Sequence, residues 1–80
     1  MAKQAFRLYF QQKLIREPIM FMVARDNNLL LNIRRAKITE EFGEATIELD
    51  GQEKDIAKAE KVFKEKGVKV EPLLGDIVEG

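Results

Sequence analysis

Eighty residues without a cysteine or a histidine make one domain and exclude thiolate and imidazole chemistry, including zinc sites and CxxC redox or copper-carrier sites. A hydrophobic share of 45% beside 35% charged residues is that of a soluble globular chain, and no apolar run approaches the roughly 20 residues that span a bilayer. Net charge is zero, yet residues 1–37 carry eight basic side chains against Glu17 and Asp26, while residues 38–80 carry six basic against twelve acidic ones. The two halves are expected to attract, with basic and acidic strands pairing inside one fold.

The N-terminus passes straight into an alternating strand pattern, so no signal peptide is expected, and the missing cysteines fit a cytoplasmic protein. In residues 4–11, Phe6, Leu8 and Phe10 share one parity while Ala5, Arg7 and Tyr9 take the other, as in a half-buried strand. Lys13–Arg16 read as a loop. Pro18 suits the first helical position, and Ile19, Met22, Val23 and Asp26 then fall on one face of a helix that ends near Asn27-Asn28. Asn28 is placed to take the left-handed position that glycine usually fills, because asparagine tolerates positive φ. Ile19 to Val23 is apolar at five consecutive positions, more than one buried stripe needs. Met20 and Phe21 are therefore expected to point away from it, either sideways against neighbouring elements or into a partner surface.

Residues 29–38 read as a second strand whose apolar parity changes from Leu29, Leu31 and Ile33 to Ala36 and Ile38, which a bulge near Arg34-Arg35 reconciles. After the turn around Gly43, Ala45, Ile47 and Leu49 inward with Thr46 and Glu48 outward give a third strand, forming a hairpin with the second. Asp50 with Glu53 resembles a capping box for a second helix, whose stripe Ile56, Ala59, Val62, Phe63 ends at Gly67. Its other face is charged and reads as solvated surface. Val68, Val70 and Pro72 alternate with Lys69 and Glu71 as a fourth strand, with Pro72 acceptable at an edge. The order βαββαβ is that of an α+β ferredoxin-like sandwich: a four-stranded antiparallel sheet with two helices on one face, an ACT-like arrangement. Residues 1–73 make the domain and 74–80 a C-terminal tail.

Fold alone does not give function. An acylphosphatase-like site needs a glycine-rich phosphate cradle, and Gln11–Arg16 holds no glycine. Serine is absent and no nucleophile stands beside a base, so no catalysis is expected. Nucleic-acid stacking needs several aromatics on the open sheet face, where the alternation places Arg7, Tyr9, Thr46 and Glu48. The Glu40-Glu41 pair reads as solvated turn residues rather than a metal site. No cofactor, metal, nucleic acid or membrane insertion is expected.

What remains is ligand sensing or association. The run Asn27-Asn28-Leu29-Leu30-Leu31-Asn32-Ile33-Arg34 sets a polar amide inside an apolar strand. A buried or half-buried amide must find partners, since leaving it unpaired costs roughly 1–3 kcal/mol, so Asn32 is either a structural pin or a ligand contact. With Glu17-Pro18 opening the preceding helix, Gly43 in the hairpin and Lys66-Gly67-Val68 closing the second helix, the stretch from about Phe6 to Leu73 resembles the NIL domain. That module is named for an Asn-Ile-Leu motif, found at the end of methionine-importer ATPases and in front of some ferredoxins. Asn32 and Ile33 match the motif, and Arg34 stands where its leucine would be.

The resemblance implies a noncatalytic regulatory domain of sulfur amino-acid (methionine or homocysteine) metabolism, binding a small amino acid near a homodimer interface. Asn32, Ile33, Arg34 and Arg35 are then the ligand-binding candidates, and Met20, Phe21 and Tyr9 the interface candidates. The alternative is a structural docking or dimerisation module for a ferredoxin-type iron-sulfur partner. The segment Gly75–Glu79 resembles the junction that leads into cysteine clusters in the ferredoxin-linked branch.

Overall fold

Among the described residues, alternation and helical periodicity resolve into six elements in the expected order. They are β1 (Ala2–Gln11), α1 (Ile19–Asp26), β2 (Leu30–Ile38), β3 (Phe42–Gly51), α2 (Glu53–Glu65) and β4 (Lys69–Leu73). The computed structural model describes residues 2–11, 14 and 18–73; Lys13, Ile15 and Arg16 of the segment expected as a loop lie outside the described residues, as does the tail 74–80, while Leu14 is helical and buried rather than in a loop. The strands form one antiparallel sheet in the order β2-β3-β1-β4, which with two helices gives the α+β ferredoxin-like fold.

Register fixes the two faces. Phe6 opposes Ile47 and Leu8 opposes Ala45, and both pairs are buried. Ile19, Val23, Ala24, Ile56, Ala59 and Phe63 of the helices join them in one core cluster with Phe10, Leu49 and Val68. This is the alternation expected from sequence. Val70 departs slightly: it is half-buried against the core, because β4 is an edge strand.

Three local expectations hold. Asn28 has φ +58° and Gly67 φ +92°, the left-handed positions that end the two helices. The register of β2 against β3 slips between Ile33 and Arg35, so the bulge sits where the parity changes and keeps Ala36 and Ile38 on the side of Ile33.

Two others are corrected. The buried stripe of α1 runs through Ile19, Val23, Ala24 and Asn27, not Ile19, Met22, Val23 and Asp26, and the half-buried Met20, expected to point away, packs against the core beside it. That rotation leaves Asp26 in solvent, where Arg25 Nε donates to its carboxylate at 3.1 Å, and avoids burying a charge. Asp50 and Glu53 form no capping box. β3 runs on through Asp50, paired with Lys3 and Leu30, so the N-cap falls to Gln52, which makes no side-chain cap hydrogen bond.

Gly51 ends β3 close under Leu29: a Cβ there would lie 2.5 Å from Leu29 Cδ2, so the buried Leu29 side chain would have to shift. The charged face of α2 is solvent-facing as expected, with Lys64 paired to Glu60 one turn back at 3.1 Å.

Candidate functional site

The sheet face away from the helices presents side chains in register. Across its middle run Asn32, Glu48 and Ala5, then Arg35, Thr46, Arg7 and Glu71, then Lys37, Glu44, Tyr9 and Lys69. The face is charged, with basic side chains of β2 and β1 beside acidic ones of β3 and β4. Arg7 Nη1 reaches Glu71 Oε1 at 3.4 Å, and the Lys69 ammonium lies 5.6 Å from the Tyr9 ring centroid. The attraction between the basic and acidic halves is realised here as cross-strand pairing.

Asn32 lies on this face and is exposed rather than buried. Its Nδ2 donates to Glu48 Oε1 at 3.4 Å, and Arg34 Nη1 approaches the same oxygen at 3.7 Å from the bulge. The Glu48 side chain retains 14% of its accessible surface, so one largely covered carboxylate gathers an amide and a guanidinium. Asn32 and Arg34, two residues apart, share this face as in any strand, and the bulge turns Arg35 to it as well, opposite Thr46. Arg35 and Lys37 continue the positive column. Ile33 stands apart from them, opposite Ile47 on the helix side.

The buried asparagine of this segment is Asn27. Asn27, only 9% exposed, donates from Nδ2 to the carbonyl of Val23 at 2.8 Å, while its backbone N–H also turns back to the helix end. Glu48 is the residue that sequence reading missed as a site member. Alternation marked it as outward, but its meeting with Asn32 depends on the hairpin register.

The interface candidates divide between two surfaces. Tyr9 belongs to the open face, half-buried under Lys69. Phe21, 60% exposed, stands on the outer side of α1, whereas Met20 packs against the core. On the same layer as α1, Ile33 and Ile38 of the edge strand are 38% and 59% exposed.

The sequence pattern of the NIL domain family matches residues 4–72. The chain belongs to the NIL domain family. No curated protein matches it. Among solved structures, this NIL domain is similar to the C-terminal domain of an ABC transporter ATP-binding protein from Enterococcus faecalis, at 21% identity and a TM-score of 0.79. The likeness covers 91% of this chain and 86% of that one, and it bears on the fold. No helix among the described residues is long and apolar enough to cross a membrane.

Proposed function

We propose that this NIL domain is a noncatalytic regulatory module that binds a small amino acid of the methionine or homocysteine class, working as a homodimer. The observation that carries the reading is the meeting of Asn32, Arg34 and Glu48 on the exposed face beside the β2 edge. A free amino acid presents an ammonium and a carboxylate. Glu48 supplies an acceptor for the first, Arg34 and Arg35 supply donors for the second, and the Asn32 amide serves either. Arg34 and Glu48 already meet at 3.7 Å, so the ligand would be inserted between partners that hold each other in its absence.

An open strand face gives such a ligand one wall. A second copy set against the β2 edge would supply the other, covering the exposed Leu30 beside Asn32 on the open face, with Ile33 and Ile38 flanking the same edge on the helix side. Those residues also support the second reading, a docking module for a ferredoxin-type iron-sulfur protein.

A thermal-shift panel of methionine, homocysteine and related metabolites on wild type and Asn32→Ala separates the two. Sensing predicts stabilisation of the wild type, about 2.7 kcal/mol at a hundredfold excess over Kd, and a smaller shift in the variant. No shift of the wild type at millimolar concentration leaves the docking module in place of the sensor. Equal shifts in both proteins remove Asn32 from the site.

A further inference from the structure

β2 forms one edge of the sheet, and no strand lies beyond it among the described residues. The hairpin determines which of its backbone groups face outward. Thr39 N–H donates to the Phe42 carbonyl at 2.8 Å, and β3 pairs with β1 without a register break. Phe42, Glu44, Thr46, Glu48 and Asp50 therefore all turn their backbone groups toward β2. Leu30 and Asn32 answer Asp50 and Glu48, which leaves the N–H and C=O of Leu31 and Ile33 pointing away from the sheet. Leu31 and Ile33 carry their side chains on the helix side, opposite Leu49 and Ile47, while Leu30 and Asn32 carry theirs on the open face.

We propose that a second copy of this chain adds its own β2 to this edge, antiparallel, with the twofold axis at Asn32. The proposal rests on the homodimer reading above and specifies its register. In a twofold antiparallel pair, outward residues must meet outward residues, so the axis passes at a residue and not between two. An axis at Asn32 sets Leu31 against Ile33 of the second copy, and Ile33 against its Leu31, in two hydrogen-bonded pairs that are apolar on the helix side. On the open face Arg34 meets Leu30 of the second copy, beyond which lies that copy's Asp50. Asn32 meets its twin at the non-hydrogen-bonded position, where side chains stand closest. Each amide can donate one N–H to the other's carbonyl oxygen and keep the second on Glu48. Other axes fail. At Arg34, Arg35 or Lys37 like cations meet, and at Ala36 Arg35 meets Lys37. At Ile33, Leu31 faces the bulged Arg35, whose side chain is on the other face. At Leu31 or Ile38 the pairing runs off β2 into a turn. A polar amide within the apolar run then selects one register, as a single asparagine does in a coiled-coil seam.

The chain has no cysteine, so disulfide trapping reads the register directly. Cα atoms paired at a non-hydrogen-bonded site stand about 4.5 Å apart, within reach of a disulfide. Under oxidised glutathione Asn32→Cys should give a covalent dimer. Leu30→Cys and Arg34→Cys should each stay single, and an equal mixture of those two should cross-link. Equal cross-linking of all three single variants overturns the proposal, because it marks random collision. The unsubstituted protein supplies a second readout: a dimer of mixed isotope labelling should show contacts between the Leu31 methyls of one copy and the Ile33 methyls of the other. A wild-type dimer that lacks those contacts, and whose Asn32→Cys variant does not cross-link, overturns the register alone. A wild-type monomer at high micromolar concentration overturns the homodimer reading and the register with it.

Discussion

Asn27 Nδ2 lies 2.8 Å from the Val23 carbonyl, so a buried side chain closes the first helix on itself just before the chain turns into β2. Truncating it removes a hydrogen bond to a carbonyl that has little access to water. Asn27→Ala should cost about 1–2 kcal/mol in denaturant unfolding, whereas Asn32→Ala, at an exposed site with one long hydrogen bond, should stay within about 0.5 kcal/mol. Equal losses would mean that Asn32 is a structural pin too.

Phe63 is 1% exposed and joins α2 to the inward residues of β1 and β3. Phe63→Ala should destabilise by about 3–5 kcal/mol. A loss under about 1 kcal/mol would show that the α2 stripe does not pack on the sheet.

Gly67 has φ +92°, and among the described residues its would-be Cβ meets Leu14 Cδ1 alone, at an ordinary contact distance of 3.9 Å. The cost of a side chain there is conformational rather than steric. Gly67→Ala should lose about 1 kcal/mol, and Gly67→Asn should lose less, because asparagine tolerates positive φ. Equal losses for the two variants would contradict a backbone origin.

Self-association is expected through the apolar surface beside β2. Light scattering at high micromolar concentration should give about twice the 9.2 kDa of one chain, and Ile33→Glu with Ile38→Glu should return it to 9.2 kDa. A wild-type mass of 9.2 kDa at that concentration rejects the dimer.

Period-two alternation located every strand, and its change of phase located the bulge, because burial of one face leaves a residue-by-residue imprint. The stop of each helix was legible for a similar reason: Asn28 and Gly67 answer a backbone requirement that few residue types satisfy. The rotation of α1 was not legible. Five consecutive apolar residues fit several orientations, and only packing against the sheet chooses Met20 and Ala24 over Met22. The charged open face was half-legible, since sequence named its outward residues but not their cross-strand partners. Asn32 illustrates the limit. Its position inside an apolar run suggested burial, yet β2 is an edge strand and its parity turns Asn32 to solvent, where hairpin register delivers it to Glu48.

Isotope-edited NMR titration with methionine reads the Asn32–Arg34–Glu48 cluster most directly. Binding as proposed predicts saturable shifts of the Asn32 side-chain amide and of the Arg34, Arg35 and Glu48 backbone amides, all strongly reduced in Glu48→Gln and Asn32→Ala. Saturable shifts confined to other surfaces, or none at millimolar methionine and homocysteine, would contradict an amino-acid site at the β2 edge.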